Sequence, residues 1–421
     1  MRQFSMESSA LITNDAAVLG LLAATLGVIF YTGASERPAF RKFYRYVPTI
    51  LLCYFVPSLY NTFGIVDADA SDLYFVSSRY LLPTTLVLLT LSIDLPAIIR
   101  LGPKALIMFA TGTVSIALGG PFAVLVFSVI SPDTVGGVGP DAVWRGLATV
   151  AGSWIGGGAN QAAMKEVFEV GDELFSAMVA VDVLVASVWM AVLLFMAGES
   201  GRIDRRQGAD TSALDDLKRR ATEFQKRHSR IASMPELMAI AAVGFGVTGA
   251  SHLLADLLAP WIAQSAPGLA RLSLTSQFFW LVVIATTGGL LLSFTRVREL
   301  EGAGASKVAS VMLYVLVASI GMGMDIGAVV DRPGLFAVGG LWMSVHAGLM
   351  LAVGRAIKAP TFFLAVGSQA NVGGAASAPV VASAFHPSLA PVGVLLAVLG
   401  YAVGTFGAWL CGQLMRVALS G

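Results

Sequence analysis

The sequence predicts an all-α membrane protein of two inverted repeats, each with five transmembrane helices and one re-entrant hairpin, giving ten crossings and two hairpins. Three observations predict it. Of the 421 residues 56% are apolar and 13% charged, with a mean hydropathy of +0.77, which excludes a soluble globular domain. Two stretches, GSWIGGGANQ at 152–161 and GSQANVGGAAS at 367–377, set glycines and amides inside runs otherwise apolar enough for a bilayer core. The positive charges divide unevenly among the loops, and only one count of crossings places them consistently.

A core about 30 Å thick takes about 20 apolar residues per helix. Twelve segments approach that length: 15–32, 46–66, 74–93, 104–130, 143–168, 173–197, 236–263, 274–294, 307–324, 334–354, 359–385 and 390–415. The first follows Glu7 and Asp15 with no small-residue cleavage site, so it is expected to stay as a helix. The loop behind it, ERPAFRKFYR, carries four cations and is cytoplasmic by the positive-inside rule, whereas DADASD after the second segment belongs outside. The stretch 198–235 holds nine Lys or Arg and must also be cytoplasmic. If every segment crossed, an odd number of crossings would separate these two basic loops. Treating 143–168 as a hairpin that enters and leaves on one face removes the conflict and puts the acidic link EVGDE outside. The same treatment of 359–385 leaves 20 of the 27 Lys and Arg inside, with both termini outside an inner (plasma) membrane.

A hairpin arm of about 10 residues rises about 15 Å, which brings the glycines near the midplane. Unwound backbone at that depth survives only where protein buries it or where it lines a cavity. The expected repeats run over 1–197, with a hairpin at about 143–170, and 236–421, with a hairpin at about 359–385; 198–235 is a cytoplasmic linker whose ALDDLKRRATEFQKRHSR stretch reads as a surface helix. A further match joins the halves: LVLLTLSIDLPAIIRLGPKALIMFATG (86–112) resembles LVASIGMGMDIGAVVDRPGLFAVGG (316–340) and pairs Asp94 with Asp325. Five crossings per half oblige the second copy to be inverted.

The hairpin sequences GSWIGGGAN and GSQANVGGAASAP, with VDVLVASVWM between them, resemble the membrane proteins of the YjcL type over nearly the whole chain. That family resembles in turn the superfamily of cation/proton antiporters and anion transporters, including bacterial sodium/glutamate and sodium/citrate symporters. The resemblance implies an elevator-type fold, in which a hairpin-bearing domain slides against a scaffold, and a homodimer. It supplies no substrate, because the shared motifs lie in the hairpins.

Among single residues Asp182 stands out, since an ionisable group deep in an apolar segment is costly. It is expected to hold a sodium ion or a proton, against a bland reading as a hydrogen-bond hub. Ser153, Asn160, Gln161, Ser368, Gln369, Asn371 and Ser377 are neutral donors and acceptors beside the breaks, where helix N-termini favour an anionic group and carbonyls suit sodium. Gly157, Gly158, Gly373 and Gly374 are expected to make the turns and admit a ligand close to the backbone. Alternatively, these groups only satisfy broken helices. His346 reads as a proton relay or a packing residue. Asp94 and Asp325 read as caps or gates, Arg79 as a snorkelling side chain, and Lys165, Glu166 and Glu169 as a solvated face or an access vestibule. Cys53 and Cys411 lie in apolar segments without pairing or metal spacing.

DTVGGVGPD imitates a potassium filter but lies in an outside loop, GSWIGGG lacks the Gly-Lys-Ser/Thr of a phosphate loop, and no GxSxG elbow occurs. A net charge of +1 with no basic patch argues against a nucleic-acid partner. The expected function is a secondary active transporter, coupled to sodium or protons, for a small polar and anionic solute. The partners are that solute and the bilayer, with no cofactor. The alternative is a cation/proton antiporter or ion channel, disfavoured because no second carboxylate accompanies Asp182. An intramembrane serine hydrolase using Ser153 or Ser368 with His346 is the least favoured class, so no enzyme is expected.

Overall fold

In the computed structural model, residues 10–68, 70–209, 232–324, 332–386 and 389–420 are described. They form helices joined by short turns; the single strand-like pairing among them is an isolated bridge between Ile12 and Val66. Eight described helices are long and apolar enough to cross a membrane, or nine if Gln277–Ser293 and Arg296–Ala303, bent by 96°, form one span.

Helix α1 (Asp15–Gly33) starts where the Asn14 side chain accepts the N–H groups of Ala16 and Ala17. The basic loop contains α2 (Pro38–Tyr46), with Pro at its first position. Helix α3 (Thr49–Thr62) has only 14 residues, fewer than the 46–66 run suggested, because the chain turns at Gly64 and runs back to pair with Ile12. Helix α4 (Leu73–Leu91) contains a π-turn at Ser77–Leu81. Pro83 has no N–H for the Arg79 carbonyl, and the ring nitrogen Nε2 of His252 meets that carbonyl at 2.9 Å instead.

The remaining elements are α5 (Pro103–Ile130), α6 (Val143–Val167), α7 (Asp172–Gly198), α8 (Ser200–Gln207), α9 (Met234–Ser265), α10 (Gln277–Ser293), α11 (Ala305–Met322), α12 (Gly334–Ala356), α13 (Thr361–Val372), α14 (Gly374–Phe385) and α15 (Ala390–Ser420). The linker sequence 213–230 and Asp325 lie outside the described residues.

Helix α6 is broken at Gly157, whose φ of 74° is left-handed, and its two arms fold back on each other. Trp144 near one end meets Phe168 just beyond the other, with ring centroids 5.4 Å apart, and Gly171 N–H donates to Pro140 O at 3.1 Å. Helices α13 and α14 form a second such hairpin about Gly373 and Gly374, with Phe362 and Phe385 centroids 5.3 Å apart at its open end. The glycine-and-amide stretches are therefore the tips of two helical hairpins.

Helices α1, α3, α4, α9, α10 and α11 pack chiefly on one another, as do α5, α7, α12, α15 and the two hairpins. Small residues permit the close crossings inside each group. A methyl on Gly321 would stand 2.4 Å from Tyr54 O, one on Gly289 2.4 Å from Val87 O, and methyls on Gly119 and Gly120 within 2.8 Å of the Trp342 ring. Each group takes elements from both halves of the chain.

Candidate functional site

The hairpin tips meet. Gly374 has φ of 57°, and a methyl there would stand 3.6 Å from Gly157 Cα. Gly157 and Gly374 make the left-handed turns that other residues enter at a cost. Gly373 is held by space, since a methyl would collide with Ser377 Oγ and Gln369 Nε2. Gly158 differs from expectation: its backbone is helical and only Ile50 lies within reach of a methyl, so it makes no turn.

Behind the tips, two buried amides are clamped in the same way. Asn371 Nδ2 donates to Gly367 O at 2.9 Å and Phe109 O at 3.0 Å, while its Oδ1 accepts from Thr113 Oγ1 at 2.7 Å. Asn160 Nδ2 donates to Gly156 O at 3.0 Å and Tyr401 O at 3.2 Å, while its Oδ1 accepts from Thr405 Oγ1 at 2.6 Å. Gly112 and Gly404 make room for the two amides. Each clamp ties a hairpin to a long helix from the other half of the chain. Asn160 lies after its break and Asn371 before, so they occupy different arms.

Asp182 of α7 is buried against the first hairpin. Its Oδ1 accepts from Trp154 Nε1 at 2.6 Å and its Oδ2 from Gln161 Nε2 at 3.0 Å, with Ser153 as a third side-chain partner. These donors come from both arms, so the carboxylate braces the hairpin. Tyr54 of α3 reaches Gln161 Oε1 at 3.5 Å from the other helical group.

In the second hairpin Gln369 Nε2 donates to Ser377 Oγ at 2.6 Å, while Gln369 Oε1 is buried without a partner. Ser368 points elsewhere: its Oγ accepts from Trp189 Nε1 at 2.7 Å and contacts His346 Nε2 at 2.8 Å, and His346 Nδ1 meets Ser115 Oγ at 2.7 Å. The chain Trp189–Ser368–His346–Ser115 lies fully inside the second group, away from Asp182's own partners. Both His346 nitrogens are occupied, and its Nδ1 faces a hydroxyl rather than the carboxylate that orients a hydrolytic histidine.

Of the two readings for Lys165, Glu166 and Glu169, a solvated face or an access vestibule, the first fails for Lys165 and Glu166, and all three line one cavity. Lys165 is 6% exposed and bonds Asp172 at 2.8 Å and Tyr74 Oη at 2.9 Å, while Glu166 accepts from Tyr74 Oη and pairs with Arg79 at 3.1 Å. Glu169 remains exposed. Asp94 caps Ala97 N–H at 3.0 Å and pairs with Arg298 at 2.8 Å. Sequence reading did not single out Thr113, Thr405, Phe109 or Tyr401. The signal was the shared aromatic-x-x-Gly-Thr pattern in FATGT at 109–113 and YAVGT at 401–405.

A family model described as "Protein of unknown function (DUF819)" matches residues 20–418. The "Uncharacterized membrane protein YjcL" of Bacillus subtilis (strain 168) is 23% identical over 366 residues, covering 83% of this chain and 85% of that protein. Apolar helices of spanning length and a match over nearly the full sequence agree: the chain is a membrane protein belonging to the DUF819 family.

Proposed function

We propose that the protein is a secondary active transporter for a small polar, anionic solute, binding it where the two hairpin tips meet and coupling its movement to sodium or protons through Asp182. The observation that carries this reading is the approach of Gly374 to Gly157, with the buried, unpartnered Gln369 Oε1 beside it. Broken helices converging from both halves of a chain offer backbone and side-chain groups to a ligand that continuous helices would keep for themselves. The tips are open to a solute, because Gly157, Gly158, Gly373 and Ser377 are only half-buried while the amides behind them are closed off.

Two features support ten crossings with re-entrant hairpins in inverted repeats. The open end of the first hairpin lies beside Pro140 and Asp172, whereas that of the second lies beside Asp204 after α7, whose carboxylate accepts Thr361 N–H at 2.8 Å. Those two ends of α7 are 27 helical residues apart, enough to span a bilayer core. The hairpins thus open at opposite ends of α7, which supports opposite membrane faces, and the charge asymmetry favours the second as the cytoplasmic one. The two helical groups support an elevator, one group serving as scaffold and the hairpin-bearing group as carrier.

The test is uptake into proteoliposomes under an imposed sodium or proton gradient, with candidate solutes taken from a thermal-stability screen of organic anions and amino acids. Wild-type protein is expected to accumulate one of them. Asp182→Asn should retain solute exchange without accumulation, and Gly374→Val should lose both. Gradient-driven accumulation by Asp182→Asn would make the carboxylate purely structural, and undiminished binding by Gly374→Val would remove the site from the tips.

A further inference from the structure

A second place in the molecule has unpartnered polar atoms. A cavity of about 1210 Å³ lies between the helical groups, beside the open end of the first hairpin. Four of its lining residues are cations, Arg79, Arg145, Lys165 and Arg416, against two carboxylates, Glu166 and Glu169. Arg79 comes from α4 and Arg145 from the first hairpin, so the cavity straddles the seam.

Both arginines are fixed in place. The Arg79 guanidinium lies 4.5 Å from the Phe278 ring centroid and spends Nη2 on Glu166, but its Nη1 is buried without an acceptor. The Arg145 guanidinium lies 5.3 Å from the Trp144 ring centroid and spends Nη1 on Phe168 O, but its Nε is buried without an acceptor. Both guanidinium side chains nonetheless line the cavity and stay 32% and 25% exposed, so each has surface that an acceptor entering it can reach. The start of α10 adds to this, because Ser276 and Gln277 line the same cavity and the positive end of a 17-residue helix dipole begins there.

We infer that this cavity is a binding site for a small oxyanion, a carboxylate or phosphate, held by the guanidinium groups of Arg79 and Arg145 that line it. Planar guanidinium groups match such anions in a way that an ammonium does not. The site is separate from the hairpin tips and does not rest on the transport reading. The same chemistry is offered by a free anion and by the phosphate of an anionic lipid.

The experiment is calorimetric titration of the full chain with inorganic phosphate and with citrate, at constant ionic strength, in phosphatidylcholine nanodiscs. Native mass spectrometry of protein from discs containing phosphatidylglycerol runs beside it. Saturable binding of either probe is expected, weakened roughly tenfold or more by Arg79→Lys and by Arg145→Lys, which keep the charge and lose the guanidinium. Lys104→Gln, remote from the cavity, should bind as wild type. If the probes fail but phosphatidylglycerol is retained by wild type and lost from both arginine variants, the oxyanion is a lipid headgroup. Binding of neither, or undiminished binding in either lysine variant, overturns the site.

Discussion

At the residue scale the amides do more than fill the gaps of broken helices. Each clamped asparagine satisfies its own arm and reaches a threonine and a carbonyl on a helix far away in sequence, so truncating one removes three buried hydrogen bonds. Asn160→Ala and Asn371→Ala should each lower stability by about 1–3 kcal/mol. Thr405→Val and Thr113→Val should cost less, since two hydrogen bonds rather than three are lost, one of them long, while volume is kept. Thermal unfolding of the purified variants measures both, and a double variant Asn160→Ala/Thr405→Val close to Asn160→Ala alone would show the pair acting as a unit. The sequence made Asn160, Asn371 and Asp182 conspicuous because a polar group in an apolar run is costly. Their partners were hidden, since threonine and glycine are ordinary in membrane helices and only contact reveals their use.

At the element scale the two hairpins were legible, because glycines clustered with amides in an apolar run favour a turn there and the charge count required a segment that does not cross. The residue that makes each turn was not legible. Four glycines are equivalent on paper, yet only Gly157 and Gly374 are left-handed, and Gly158 sits in regular helix. Gly157→Ala and Gly374→Ala are therefore expected to destabilise by about 1–2 kcal/mol. Gly158→Ala should be neutral or stabilising by up to about 1 kcal/mol through helix propensity. Unfolding midpoints for the three variants decide this, and equal losses at all three would place the turns wrongly. The π-turn of α4 also escaped sequence reading, although Pro83 was its signal, because its consequence depends on His252 arriving from a helix in the other half.

At the scale of the whole molecule, the halves are interleaved rather than side by side. Both helical groups draw on both halves, and both clamps cross between them. Sequence symmetry suggested two repeats but could not show this exchange, which lives in contacts between distant segments. Two polypeptides divided within the linker at 210–231 should therefore associate when co-expressed and co-purify through a tag on one of them. Replacing both Asn160 and Asn371 with Ala should weaken that recovery more than replacing either, and recovery unaffected by the double change would show the clamps to be dispensable for assembly. The clamp at Asn160 also imposes a chronology. Thr405 lies 245 residues downstream, so at about 5–20 residues per second its partner leaves the ribosome roughly 10–50 s later. During that interval the newborn first hairpin holds an amide with its distant bonds unmade, and its clamp closes only once α15 has been made.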